Sequence, residues 1–516
     1  MANTSLFQSM IGRLLPRANA TNEAGGPAYV FPPRQALAQF AATGCLNTTF
    51  YATADEQLDR VLDLSAQVSP EFLARTAVYC RQRGYMKDMP ALLLALLSRR
   101  DPRLMASVFD RVVDSPRMLR TFVQIVRSGQ TGRKSLGSAA KRHVRRWLDQ
   151  RTDAAVFAAS VGNAPSLVDI VKMVHPKPAT QEREALYAYL LGRPASETLP
   201  AIVRQFEAFK AGDRAEVPDV PFQMLTALNL TSREWAQVAR RASWQTLRMN
   251  LNTFARHGVF ADKEMIEAVA SRIADPSEIA RARVLPYQLL AAYRSADPAL
   301  PSAIRAALED AMEVAVANVP AIAGQVFVCP DVSGSMRSPI TGHRSGATTT
   351  VRCVDAAALI AAAIVRRNPT AEVLPFEHRV VDVSFSPRDT IMTTAERLAA
   401  VGGGGTAVSA PLERLNHRKA KGELVIVVSD NESWIDARAA GGTETMREWN
   451  AFRARNPQAR LVLIDLQPYH TTQAVEREDI LNVGGFSDRV FDVVAEFAAG
   501  RLRSDHWIGE IESVAL

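Results

Sequence analysis

The chain has 516 residues, too many for a single core, so two or more domains are expected. Hydrophobic residues make up 47% and charged residues 22%, the balance of a globular protein, and no apolar run reaches the ~18 residues of a membrane helix. The net charge of +7 is uneven: residues 1–325 hold 40 Lys and Arg against 30 Asp and Glu, and residues 326–516 hold 21 against 24, so a polyanion is expected on the first half.

The opening MANTSLFQSMIGRLLPRANA lacks the long apolar core of a signal peptide, and residues 1–29 read as an N-terminal extension of a cytoplasmic protein. The four cysteines, Cys45, Cys80, Cys329 and Cys353, form no CxxC pair and read as buried free thiols. From 30 to 325 apolar residues recur three and four apart, as in ALLLALLSRR, RLMASVFDRVV and MLRTFVQIV. Proline follows a short break at 101–102, 115–116, 164–165 and 275–276, each a place for a helix to begin. Successive short helices without strands predict an all-α module of stacked pairs, of the HEAT-repeat kind. An irregular all-α domain is the alternative.

Within this half, no acidic residue occurs from Ser115 to Leu148, while nine basic ones do. Arg133 and Lys134 precede a predicted helix. On it Leu136, Ala140, Val144 and Trp147 share an apolar face. Lys141 with Arg145, and Arg142 with Arg146, stack one turn apart on the others. Such a row repels itself unless an anion lies against it, which is the signature of a nucleic-acid surface. A second stretch, PSLVDIVKMVHPKP, gathers Lys172, His175 and Lys177 at the end of a short helix. There His175 either meets a base or phosphate or caps the helix.

After 325 the pattern changes. QVFVC (325–329), EVLPF (372–376), ELVIVVS (423–429) and RLVLIDL (460–466) read as buried parallel strands with helices between them, an α/β doubly wound domain over 326–516. In such sheets ligands bind beyond the carboxyl ends of the strands. Three oxygen-bearing sets fall there: Asp331, Ser333 and Ser335 in DVSGS, Thr406 after four glycines, and Asp430 at the end of the strongest strand. Two carboxylates and three hydroxyls suit a hard divalent cation, Mg²⁺ above all, and the absence of His and Cys argues against zinc. Polar caps of loops and helices are the bland alternative. No nucleophile–base set and no GxxxxGK[ST] loop is present, and the lone His343 and His378 read as surface residues, so no enzyme is expected.

DxSxS, a later Thr after glycines and a later Asp at a strand end resemble the metal-ion-dependent adhesion site of von Willebrand factor A domains. In that family the metal keeps a position open to a partner's carboxylate. The order of helical module and A domain, with the basic helix and the His-x-Lys-Pro segment, resembles the Ro autoantigen family, also called the TROVE-module proteins. The resemblance implies a ring-forming helical module at 30–325 that binds RNA, with Lys141, Arg142 and His175 as contacts. It implies small structured Y-like RNAs and single-stranded ends of misfolded RNAs as ligands, and an exoribonuclease such as polynucleotide phosphorylase as partner. A metal-dependent protein–protein adaptor, with RNA incidental, is the rival expectation.

Overall fold

The computed structural model describes residues 15–516 apart from 44–45, 215, 283, 285, 318, 344–350, 385–388, 434–441, 468, 470, 485–488 and 502–505. Cys45 and most of the loop after Ser335 lie outside the described residues. Cys80, Cys329 and Cys353 are buried free thiols. Among the described residues no helix is long and apolar enough to cross a membrane.

The chain forms two compact units. One takes Val68–Ile273, Asp297–Ile304 and Ile511–Leu516. It is built from short helices that pack on their neighbours once and twice removed. Pro70–Gln82 lies against Asp88–Arg100 and Pro102–Val112, and Pro102–Val112 lies against Gly137–Asp149. This is the stacked-pair packing of helical repeats. Prolines start the helices as the sequence suggests: Asp101 caps Pro102–Val112 and Ser115 caps Pro116–Ser128 through side-chain oxygens. Pro165 departs from the pattern. The next helix begins two residues later, at Leu167, because Ser166 and Asp169 form a reciprocal capping box there.

The other unit holds the chain up to Gln67, Ala274–Ala296 and Arg305–Glu510. Its centre is a parallel five-stranded sheet in the order β4-β3-β5-β6-β8. The strands are β3 (Val326–Pro330), β4 (Glu372–Val373), β5 (Leu424–Ser429), β6 (Arg460–Asp465) and β8 (Ile480–Gly484). The middle strands are buried on both faces, which is why they read as unbroken apolar runs. One face packs on Met446, Trp449 and Phe452 of Glu444–Arg455. The alanine-rich Cys353–Arg367 is buried from Cys353 to Ile364.

The switch of grammar at 325 is therefore a change of secondary structure, not a boundary of packing. A three-stranded antiparallel sheet ties residues before 31 to the α/β fold: β1 (Ala20–Thr21), β2 (Pro27–Val30) and β7 (Thr471–Thr472). Gln39 Nε2 donates to the Asn482 carbonyl at 3.3 Å on β8. Arg294 adds an ion pair at 2.8 Å to Asp355, which is buried. Residues 20–29 of the segment read as an extension are thus part of this unit, with β2 pairing its main chain with β7.

Candidate metal centre and candidate nucleic-acid interface

β3 and β5 run side by side, with Pro330 opposite Val428. That register carries Asp331 and Asp430 to the same carboxyl edge, each one residue past its strand. Main-chain bonds fix Asp331 there: its N–H donates to the Val428 carbonyl at 2.8 Å, and the Val332 N–H donates to that of Phe376 at 2.8 Å. The Asp331 Oδ1 accepts the Ser333 N–H at 2.8 Å, and Oδ2 accepts the Ser429 hydroxyl at 2.6 Å. Ser333 and Ser335 then turn their hydroxyls to within 3.3 Å of each other.

The glycines before Thr406 bring its loop against this turn. The Gly334 N–H donates to the Gly404 carbonyl at 2.9 Å. Gly402 has φ +76°, and a Cβ on it would fall 2.4 Å from the Val332 carbonyl oxygen, so only glycine fits. On the other side the Val408 N–H donates at 3.1 Å to Ser433, two residues past Asn431. Three loops are thereby pinned to one another. Asp331, Ser333, Ser335, Thr406 and Asp430 are all between 0% and 6% exposed.

The electrostatics of the set are those of a site short of positive charge. Burial and the neighbouring Asp430 push the Asp331 carboxyl up to about 7. Burial pushes Asp430 up to about 6. Asp430 Oδ2 is buried with no hydrogen-bond partner among the described residues. An orphaned buried carboxylate oxygen beside a second carboxylate and two hydroxyls fits a hard divalent cation, which would relieve both the repulsion and the orphan. Among the described residues no group of three His, Cys, Asp or Glu is arranged for a metal, so this mixed set is the candidate. His343 and His378 are exposed; His378 Nδ1 lies 3.0 Å from Glu377 rather than toward the carboxylates.

Sequence reasoning missed three neighbours. Glu432 is buried and pushed up to about 9 by burial, Asp430 and Asp465. Asp465, buried at the end of β6 opposite Ser429, is also raised by burial and Asp430. Tyr51, some 280 residues earlier in the chain, has its phenol pKa raised by burial and by the nearby Asp430, Glu432 and Asp331, with Ser335 as a polar neighbour. The first two carry a signal in VVSDNES and RLVLID, which each end a buried strand on an acid. Tyr51 carries none, because nothing in FYATADE marks what it folds against.

In the helical unit the basic helix spans Gly137–Asp149, so Arg133 and Lys134 lie in the loop before it. Leu136, Ala140, Val144, Trp147 and Leu148 are buried, the stripe that the periodicity predicts. Trp147 Nε1 donates to the Val113 carbonyl at 2.7 Å. The basic residues do not form one free surface. Arg146 is ion-paired at 2.6 Å with Asp110, from outside the acid-free window. Arg133 Nη2 donates to Ser98 Oγ at 2.5 Å. Lys141 and Arg142 have no ion pair among the described residues.

Arg145 Nε donates to the Val174 carbonyl and so joins this helix to the end of Leu167–Val174. His175 follows in the left-handed region, with φ 49° and ψ 65°, and its backbone N–H donates to the Val171 carbonyl at 2.9 Å. The backbone of His175 closes the helix, and its imidazole is exposed beside exposed Lys172 and Lys177. The structure therefore brings Arg145, one turn after Lys141, to the His175 corner, and it turns Arg146 and Arg133 to internal partners. His143 lies on the buried side, 5.3 Å from the Phe109 ring, and burial, with Arg146 and Arg142, holds its pKa down.

A doubly wound sheet whose carboxyl edge gathers DxSxS, Thr and Asp, joined to a helical-repeat unit, defines a class: a helical module with a von Willebrand-type A domain. Residues 325–498 match the family model of the Ro60 vWA domain. The chain is 25% identical over 517 residues to the RNA-binding protein RO60 of Deinococcus radiodurans, covering 93% of this chain and 95% of that protein. It is 21% identical over 254 residues to the RNA-binding protein RO60 of Caenorhabditis elegans, covering 47% of this chain and 38% of that one. The crystal structure of the Deinococcus radiodurans RO (RSR) protein shares the fold, with a TM-score of 0.62 at 20% identity over 91% of this chain and 100% of that one.

Proposed function

We propose that this chain is an RNA-binding Ro-type scaffold, with RNA on the helical unit and a Mg²⁺-binding A domain as a separate site. The observation that carries the reading is the pair Lys141 and Arg142. They stand on a helix anchored by a buried stripe, without an ion pair among the described residues, and Arg145 of that helix bonds the end of the helix that exposed His175 closes. Unpaired cations on a rigid element are what phosphate binding uses. The relatives named RNA-binding protein RO60 support the same class. Within it, the ligands we propose are small structured Y-like RNA and single-stranded ends of misfolded RNA. The role is RNA quality control beside a partner exoribonuclease such as polynucleotide phosphorylase, in the cytoplasm, without catalysis by this chain.

Asp331, Ser333, Ser335, Thr406 and Asp430 would hold the cation. A bound Mg²⁺ supplies positive charge that lets both carboxylates stay ionised and ties the three loops together. The test is sequencing of RNA that copurifies with the chain, alongside the Lys141→Glu/Arg142→Glu variant. A discrete small RNA that is lost in the variant is the expected result. Copurified RNA that is random in sequence and equally abundant in both forms would overturn the reading in favour of a protein adaptor.

A further inference from the structure

The candidate metal ligands share their compact unit with a segment far away in sequence, residues 46–53, which is anchored on loops near them. It has no helix of its own and is held at several points. Asn47 Nδ2 donates to the Thr341 carbonyl at 2.6 Å. The His343 N–H donates to the Thr48 carbonyl at 2.6 Å, a single antiparallel bridge to the loop that follows Ser335. The Tyr469 hydroxyl donates to Thr49 Oγ1 at 3.0 Å, in a buried contact with the loop after β6. Between these anchors Tyr51 lays its ring edge-on to Tyr469, with centroids 5.8 Å apart. There burial, with the charges of Asp430, Glu432 and Asp331 nearby, raises the pKa of the Tyr51 phenol, and Ser335 is its polar neighbour.

Each anchor is a local feature. Thr49 accepts from the Ala52 N–H at 3.3 Å and makes the segment a tight turn. Thr53 caps the helix Ala54–Ala66 in a capping box with Glu56, which stops the turn from winding into the helix. Phe50, at the tip, is 55% exposed and packs its ring on Tyr51 at 4.7 Å. The segment is thus tied down by a handful of polar contacts and little buried apolar area, the composition of an element that opens below the global unfolding free energy.

We propose that residues 46–53 are a latch over the metal site and that Tyr51 stands on the side from which an external carboxylate would reach the cation. The inference rests on the reading of the five oxygens as a cation site. A phenol, neutral in the physiological range, can donate a hydrogen bond without adding negative charge. Tyr51 can therefore close the site beside two carboxylates where a partner's Asp or Glu would add a third. The A domain then holds its cation internally, and docking an acidic partner requires the latch to leave.

The test uses the full chain loaded with Mn²⁺ as probe, with acetate as the external carboxylate. Water-proton relaxation and paramagnetic broadening of acetate are read for wild type, Tyr51→Phe and Tyr51→Ala. Tyr469→Phe removes the Thr49 anchor and serves if Tyr51→Ala does not fold. The expected result is Mn²⁺ bound by all forms, acetate unbroadened in wild type, and a several-fold rise in broadening and relaxivity for Tyr51→Ala and Tyr469→Phe. Tyr51→Phe, which keeps the ring, should fall between. Acetate broadened as strongly in wild type as in the variants would overturn the latch and leave the metal reading standing. Failure of every form to bind Mn²⁺ would overturn both.

Discussion

The charges of the two candidate sites live in opposite environments. At the sheet edge, like charges are buried together and Asp430 Oδ2 has no hydrogen-bond partner among the described residues. On the basic helix, like charges are exposed and stand on an apolar stripe that is fully buried. The first arrangement costs stability unless a cation or a proton offsets it, since burial disfavours the charged form. The second costs little, because water screens exposed cations. A buried set of acids therefore signals a resident ion, and an exposed set of bases signals a ligand that comes and goes.

The largest effect should come from breaking the buried set. Asp430→Ala or Asp331→Ala is expected to weaken Mg²⁺ or Mn²⁺ binding by about 100-fold or more, as loss of a direct ligand exceeds the loss of a supporting one. RNA affinity should stay within about twofold, because phosphate binding depends on the helix cations. Calorimetric metal titration and RNA filter binding check the two halves. A large loss of RNA affinity in a folded Asp430→Ala protein would end the separation of the sites.

Next comes Lys141→Glu/Arg142→Glu, expected to weaken RNA binding roughly 10- to 100-fold and to flatten the slope of log K against log salt by about 1 to 2. Metal binding should not change. Arg146→Glu should do less, because Arg146 already faces Asp110. If Arg146→Glu is the more damaging change, the free face of the helix has been misassigned.

The two sites should also respond to acid in opposite directions. Asp331 and Asp430 are raised to about 7 and about 6, above their unfolded values. The folded metal-free protein thus binds more protons than the unfolded chain, and these groups destabilise it progressively from about pH 4 up through pH 7. Mg²⁺ removes that penalty. Its effect on the melting temperature should therefore grow from pH 5 to pH 8, by a few degrees (about 2–4 °C per kcal/mol at this size). His143 is held down by burial and its basic neighbours. Its contribution is present above the unfolded value near 6.5 and is lost as pH falls. Thermal melts with EDTA and with Mg²⁺ across this range check both signs.

The smallest expected effect is at His143 itself. Both ring nitrogens are buried without a hydrogen-bond partner among the described residues. His143→Leu should be neutral or stabilising by about 1 kcal/mol, since it removes an unsatisfied polar group from an apolar site. RNA affinity should be unaffected. A marked loss of affinity in a stable variant would show that the imidazole turns outward when RNA binds.

The placing of the five candidate oxygens at one sheet edge was legible in the sequence because each lies just past a buried strand or a run of glycines, and a doubly wound sheet brings such ends together. The apolar stripe of the basic helix was legible for a similar reason: Leu136, Ala140, Val144 and Trp147 repeat with the period of the helix. Local rules of this kind need no partner from elsewhere in the chain. Glu432 and Asp465 carried a weaker form of the same signal. The pairing of Arg146 with Asp110 did not, because an acid-free window in sequence says nothing of acids on the neighbouring helix.

What the sequence by itself determined was the kind of element and the order of elements, through apolar periodicity, proline and glycine placement and capping residues. Only the tertiary structure decided which elements share a core. It drew residues before 68 into the compact unit of the α/β fold, where β2 pairs with β7 in a second, three-stranded sheet. Tyr51 neighbours Ser335 through that placement. Contacts across some 280 residues are set by which buried surfaces remain to be filled once the local elements have formed, and no local pattern encodes that choice.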